Sequence, residues 1–197
     1  MKNLIYIAIL SGQLCSAQNW FPHSAVPLPE KRWDVGIFQP FRFGVSEKLE
    51  YSLHPLLFFV MPNLSIKLSH KDVGSWSTAS RHGFFYPTPL LNMLTHEDKF
   101  GMISPEFDPI PRLLGLYSDW LMTGSLSPST YLTIKTGLSA GISFGYLDER
   151  SSIDLPLVYH RLGVFYNKWA LRLGVDLTGQ IAKKLRFLVD GDAHVLP

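Results

Sequence analysis

The feature that most constrains the fold is a strict two-residue alternation from Lys168 to His194. Apolar side chains alternate with charged or small ones, and the pattern resumes after a turn-sized break, TGQIAK. The apolar set is Trp169, Leu171, Leu173, Val175, Leu177, Leu185, Phe187, Val189 and Ala193. A period of two places each set on one face of a β-strand, whereas helical spacing would spread it around the whole circumference. The segment therefore predicts a β-hairpin with one apolar face and one face carrying charges of both signs.

The same alternation recurs through most of the chain. It predicts further strands over residues 32–44, 48–54, 64–69, 75–86, 113–123, 129–145 and 157–166. Five prolines interrupt it in residues 87–112, which leaves room only for a short helical turn around residues 90–95. A segment of this length without a strand is typically a functional loop, and 147–156 is predicted as a second, acidic loop.

Alternation fits both a soluble sandwich or lipocalin-like barrel and a membrane barrel, because exchanging the two faces leaves the pattern intact. Three features favour the membrane. The strands from residue 129 onward match the roughly 9–11 residues that cross a bilayer. The polar face of 129–145 consists of Gly, Ser and Thr with one Lys, and bulky aromatic residues lie near strand ends. We therefore predict an all-β, antiparallel, up-and-down transmembrane β-barrel of about eight to ten strands, with 87–112 as a long proline-rich loop.

The beginning of the chain resembles a secretory signal. Lys2 supplies a positive start, residues 4–10 an apolar core, and Cys15-Ser16-Ala17 a cleavage site with small residues. The prediction is a cleaved signal peptide at 1–17 and one barrel domain at 18–197, located in the outer membrane. The remaining chain would contain no cysteine and therefore no disulfide. Its nearly balanced charge offers no basic surface for nucleic acid.

The chain also resembles a family of Gram-negative outer-membrane β-barrel proteins with a proline-rich beginning. The matching residues are Phe38-Gln39-Pro40, His54 to Phe59 and Pro62 to Leu64. The resemblance implies membrane lipid, lipopolysaccharide and the barrel-assembly machinery as partners, and no defined activity. Barrels of this class commonly close with Phe or Trp, whereas this chain ends in Val195-Leu196-Pro197. Nine predicted strands are an odd number, so we expect a strand missed before residue 87 or a closing strand beyond Pro197.

The candidate site is the set of charges predicted to face the barrel interior. A two-strand register pairs them as Asp119 with Lys135, Arg172 with Asp190, and Asp176 with Arg186. A third hairpin is predicted across Asn167-Lys168. In a narrow barrel such charges neutralise one another and fill the interior.

Catalytic and metal-binding patterns are weak. The histidines lack a metal-ligand spacing, and neither Ser80 with His82 nor Ser69 with His70 fixes the geometry of a nucleophile and its base. We therefore expect no cofactor, no metal and no catalysis, and a structural, adhesive or narrow-transport role. The alternatives are a lipid-modifying outer-membrane enzyme and a soluble secreted barrel that binds an apolar ligand.

Overall fold

The computed structural model is one antiparallel sheet with three short helices. It describes residues 6–7, 21–36, 39–95, 103–104, 109–148, 151, 159–182 and 185–197. The strands are β1 (Tyr6–Ile7), β2 (Trp33–Asp34), β3 (Phe41–Ser46), β4 (Leu49–Leu53), β5 (Asn63–Ser69), β6 (Trp76–Phe85), β7 (Arg112–Ser127), β8 (Thr130–Phe144), β9 (Trp169–Ala182) and β10 (Leu185–Val195). The helices are α1 (Pro55–Phe58), α2 (Thr88–Thr95) and α3 (Tyr159–Asn167).

From β2 to β10 each strand pairs with its neighbour in the chain, and β1 pairs with β10. This confirms the prediction of an all-β, up-and-down antiparallel sheet. Among the described residues the sheet is open, with β1 and β2 at its two edges. None of the described helices has the length and hydrophobicity required to cross a bilayer. Of the predicted signal peptide, only Tyr6 and Ile7 belong to the described residues.

The connections differ between the two ends of the sheet. At one end, called the short-turn end, residues 47–48, 70–75, 128–129 and 183–184 link consecutive strands. At the other, called the long-connection end, residues 54–62, 86–111 and 145–168 link them, and β10 also finishes there. The three helices all belong to the long-connection end. The shorter connection between β2 and β3, residues 35–40, also lies at the long-connection end.

The two faces of the sheet are buried in the opposite sense to a soluble protein. Leu138 and Leu173 are 53% and 48% exposed, whereas Lys135 and Asp176 are each 1% exposed. The same alternation runs along β3, where Arg42 is buried between half-buried Phe41 and exposed Phe43. The polar face is therefore the concave interior of the sheet, and the apolar face is its outer surface.

Three sequence predictions are corrected by the structure. Residues 32–44, predicted as one strand, form β2 and β3, which pair with each other. Residues 157–166, predicted as a strand, contain most of α3, and therefore the hairpin predicted across Asn167-Lys168 does not exist. The predicted turn TGQIAK is mostly strand, because β9 continues to Ala182. A short apolar run is compatible with either a buried helix or a strand. Here the segment is buried inside the sheet as the helix α3 and not as a strand of it.

An apolar cluster fills the interior at the long-connection end. Its buried members are Met61, Phe85, Leu91, Leu94, Ile103, Ile110, Leu113, Leu162, Val164, Phe165 and Ala170. The rings of Phe85 on β6 and Phe165 on α3 meet edge to face at 5.9 Å. Gly141 on β8 admits α3 against the sheet, because a Cβ there would collide with the Val164 backbone. Lys168, with a φ of 67°, lies between the end of α3 and the start of β9 in the left-handed conformation.

Residues 21–32 cross the interior at the short-turn end. The Ala25 amide donates to Thr123 Oγ1 on β7 at 2.8 Å, and the Leu28 amide donates to Glu50 Oε2 on β4 at 2.7 Å. The segment passes so close to β3 that a Cβ on Gly44 would overlap the Pro29 carbonyl oxygen. Because one short segment contacts β3, β4 and β7, the sheet curves around it.

Candidate functional site

The interior between the apolar cluster and the N-terminal segment holds a group of ion pairs, which we call the central network. Its members are Arg81, Asp119, Lys135, Arg172, Asp176, Asp190 and Asp192. Five consecutive strands, β6 to β10, contribute them from inward-facing positions of the sheet. The network thus contains three cations and four carboxylates.

Lys135 is the centre of this network. Its Nζ lies 2.7 Å from Asp176 Oδ1, 2.7 Å from Asp190 Oδ1 and 2.9 Å from Asp192 Oδ1. The ammonium group donates hydrogen bonds to Asp176 and Asp190, while Asp192 Oδ1 lies close enough for an ion pair but accepts no hydrogen bond from the described residues. The Lys135 side chain is fully buried. Because an isolated charge is costly to bury, the lysine and the three carboxylates stabilise one another in this interior.

Asp119 connects the other two cations of the network. Its Oδ2 accepts from the Arg81 guanidinium and lies 3.3 Å from Arg172 Nη1. Arg172 also donates through Nη2 to Asp192, which joins this group to Lys135. The glycines at 137 and 174 make room for the network. A Cβ on Gly137 would collide with Asp119, and a Cβ on Gly174 would collide with Asp192 and Lys135.

The structure contradicts all three predicted charge pairs. Asp119 lies opposite Gly137 rather than Lys135, which shifts the β7–β8 register by two residues. Asp176 lies opposite Asp190 and Arg172 opposite His194, which shifts the β9–β10 register by four. Of the six predicted site residues, the structure brings Asp119, Lys135, Arg172, Asp176 and Asp190 into the central network.

Arg186 lies outside the central network. It is opposite Gln180, and its guanidinium carbon is 5.1 Å from the centre of the Phe21 ring. That distance is typical of a cation–π contact. The ring of Tyr131 packs against the same phenylalanine at 5.7 Å. Arg186 therefore holds the N-terminal segment to β10 instead of pairing with a carboxylate across the hairpin.

Sequence reasoning missed a second ion-pair group on β2, β3, β4 and β5. Arg42 Nη2 is 2.7 Å from Asp34 Oδ2 and Nη1 is 3.6 Å from Glu50 Oε2, while Lys67 Nζ is 3.2 Å from Glu50 Oε1. Each of these residues occupies a polar position of the alternating pattern. The signal was therefore present, but the early strands were too irregular to place these positions on one surface.

His23 lies where the N-terminal segment meets the central network. Its Nδ1 is buried and is 3.9 Å from Asp176 Oδ2. Burial of the ring, together with the nearby Arg81 and Lys135 cations, lowers the pKa of His23 to about 3. The imidazole is therefore neutral at pH 7, and it packs beside the network without adding a charge.

Two serine–histidine pairs lie on the outer face of the sheet. His70 Nε2 is 2.8 Å from Ser80 Oγ, and His82 Nδ1 is 3.0 Å from Ser118 Oγ. His70 also stacks on Trp120 at 4.9 Å. In the part of the chain that the structure describes, no carboxylate forms an ion pair with either imidazole. Without such an orienting group, the pairs satisfy each other's hydrogen bonds but do not reproduce a nucleophile–base–acid arrangement.

The described charged and histidine groups do not form a metal site. Within the described residues, no cluster of three or more His, Cys, Asp or Glu side chains has the geometry to hold a metal ion. The carboxylates of the central network are instead directed at Lys135 and the two arginines. The arrangement can neutralise charge and fix neighbouring strands, but it presents no open coordination position.

Comparison with known proteins gives one distant structural similarity. No protein-family model matches the chain, and no curated protein is similar to it in sequence. Among solved structures, the backbone structure of the Yersinia pestis outer membrane protein Ail in a phospholipid bilayer nanodisc is similar at 10% identity and a TM-score of 0.35. The similarity covers 68% of this chain and 83% of Ail. A likeness this distant supports no inference about activity or partners.

Proposed function

We propose that the chain is a non-catalytic outer-membrane β-barrel protein with a sealed interior and a structural or adhesive role. Its outer surface contacts lipid acyl chains, and its long connections close the interior on one side of the membrane. The partners in this proposal are membrane lipid, lipopolysaccharide and the machinery that inserts barrels.

The observation that carries the proposal is the inverted burial of the strands. An apolar surface wraps the outside, and ion pairs fill the inside. The outward side chains that are at least about 40% exposed include Leu116, Trp120, Ile134, Leu138, Ile142, Phe144, Trp169, Leu173, Val175 and Val189. A soluble monomer seldom exposes one contiguous apolar surface of that extent. In lipid the same surface is favourable, and the polar groups lie where a membrane protein requires them.

Strand length and aromatic placement support the same location. β7, β8 and β9 contain 16, 15 and 14 residues, more than the roughly 9–11 needed to cross a bilayer. Phe144, Tyr146 and Trp169 are exposed near the ends of β8 and β9 at the long-connection end. Aromatic rings at such a height fit the boundary between acyl chains and headgroups.

A filled interior argues against a diffusion pore. Three layers occupy it: the apolar cluster, the central network and the N-terminal segment. Each layer is fixed by buried contacts, so a solute would have to break ion pairs or remove a hydrophobic cluster to pass. We therefore favour the structural or adhesive role over narrow transport. The parts of the long connections outside the apolar cluster are best placed to meet other molecules.

Fractionation of a Gram-negative host that expresses the full chain tests the location. The proposal predicts recovery in the outer membrane, resistance to carbonate extraction and release by detergent. Recovery in the soluble periplasm would instead support a secreted ligand-binding barrel. N-terminal sequencing of the recovered protein tests cleavage after Ala17.

Two further measurements test the role. Purified protein in planar lipid bilayers should give no stable conductance, whereas steady channels would support narrow transport. Lipid profiles of cells that produce the wild type and the Ser118→Ala variant should be identical. A difference between them would support the lipid-modifying alternative.

A further inference from the structure

The connection between β4 and β5 exposes an apolar surface that the sheet does not cover. Leu56, Phe58 and Phe59 on and just after α1 are 55%, 43% and 86% exposed. The opposite side of α1 is directed inward, where Leu57 packs on the apolar cluster and Met61 is part of it. We call Leu56, Phe58 and Phe59 the α1 foot.

Hydrogen bonds at both ends of the connection fix the position of the α1 foot. The His54 amide donates to Asn63 Oδ1 at 2.7 Å, and Asn63 Nδ2 donates to the Met61 carbonyl at 2.9 Å. Pro55 occupies the first turn of α1, where a missing amide proton costs nothing, and His54 caps it. The exposed rings therefore belong to a fixed feature of the long-connection end, and Phe58 and Phe59 pack edge to face at 6.1 Å.

Composition argues for a lipid occupant. Residues 55–62 read PLLFFVMP and contain no charged or hydrogen-bonding side chain. A specific protein partner is usually recognised through aromatic anchors surrounded by a polar rim, which this short segment lacks. The foot also continues the apolar outer face of β4, where Tyr51 is exposed. An apolar surface with aromatic rings next to such a face fits the boundary of a bilayer.

We propose that the α1 foot inserts into the boundary between headgroups and acyl chains of the leaflet at the long-connection end. There it acts as an interfacial anchor that fixes how deeply the sheet sits. The inference rests on the proposed membrane location, but adds to it a lipid contact made by a connection and not by a strand. Leu57 and Met61 transmit that contact to the apolar cluster and hence to α2 and α3.

Site-directed spin labelling tests the anchor. In a Cys15→Ser background the chain has no other cysteine. Nitroxides are placed singly at Phe59→Cys, Leu138→Cys and Lys48→Cys in the full chain, reconstituted in phosphatidylcholine vesicles. Leu138 reports the outer face of β8, and Lys48 reports the short turn between β3 and β4. The ratio of collision rates with oxygen and with a water-soluble nickel chelate measures depth.

The proposal predicts a ratio at position 59 that is several-fold above the ratio at position 48 and approaches that at 138. A water-like ratio at 59 with a lipid-like ratio at 138 overturns the anchor and leaves the membrane location intact. Water-like ratios at both 59 and 138 overturn the membrane location itself. A label at 59 that is immobilised and shielded from both reagents indicates a protein contact or a second copy, and also overturns the anchor. Leu56→Cys provides the same readout if the Phe59 variant does not reconstitute.

Discussion

Replacement of Lys135 by methionine should destabilise the protein by about 3–5 kcal/mol, the range typical of removing one partner from a buried ion pair. Lys135 Nζ lies within 2.9 Å of three carboxylates, so its loss leaves two arginines facing four carboxylates. Asp190 and Asp192 are each 23% exposed and recover part of their hydration. Asp176 is 1% exposed and cannot, and therefore it determines the size of the loss.

Urea unfolding in detergent–lipid micelles, followed by the shift in gel mobility on unfolding, measures the change. Lys48→Met, at an exposed turn, is the matched control and should change stability by less than about 0.5 kcal/mol. The double variant Lys135→Met/Asp176→Asn should be more stable than Lys135→Met alone, because it removes the buried charge that has lost its partner. A loss below about 1 kcal/mol for Lys135→Met, or no recovery in the double variant, would refute the account of the central network.

Three further predictions concern the faces and the N-terminal segment. Leu138→Arg should lower the free energy of unfolding by roughly 2–4 kcal/mol, the range for a lipid-facing position near the bilayer midplane, whereas Ser139→Arg, on the inner face, should lack this depth-dependent loss. Equal losses for the two variants in unfolding titrations would contradict the face assignment. Gly44→Ala should force residues 21–32 away from β3 and expose them to limited proteolysis, whereas an unchanged cleavage pattern would contradict the packing of that segment. The stability contributed by neutral His23 should be complete above pH 6.5 and be lost as the pH falls toward 3, because the unfolded state binds the proton first. The His23→Gln variant should therefore lose less stability than the wild type between pH 6.5 and pH 3, and parallel curves of stability against pH would contradict this prediction.

The strands and their faces could be predicted from sequence where the alternation is long. β8 was predicted over 129–145 and is Thr130–Phe144, and the β9–β10 hairpin was predicted as a unit. The register could not be predicted in the same way. A shift by two or four residues returns every side chain to its original face, so alternation gives no information that distinguishes these registers.

Charge pairing across the hairpin was a misleading guide to that register. The predicted register placed Asp176 opposite Arg186 because the two opposite charges would then neutralise each other. In the structure Lys135 on β8 forms ion pairs with carboxylates from both β9 and β10, so the arrangement spans three strands. Pairwise reasoning over two strands cannot find such a contact. The contact of Arg186 with Phe21 could not be found in this way either, because Phe21 lies in a segment before the first predicted strand.

The helix α3 marks another limit of the sequence. Its apolar residues satisfied a two-residue period over a short run, and only packing against Phe85 and Gly141 inside the sheet selects the helix. Gly174 lies on the same inner face as Ser139, but a Cβ there would collide with Asp192 and Lys135 of the central network. Inward positions therefore differ in tolerance according to what the opposite strands place against them.

The most direct test of the central claim is a nitroxide scan along β8 in vesicles, one cysteine at a time from Thr130 to Phe144 in the Cys15→Ser background, leaving out Lys135, Gly137 and Gly141, which the interior contacts. Oxygen accessibility should alternate with a period of two, high at Ile134, Leu138 and Ile142 and low at Thr133 and Ser139, and the outward positions should be shielded from the nickel chelate. High nickel accessibility at the outward positions would contradict the claim that this apolar face meets lipid, and loss of the alternation would contradict the strand itself.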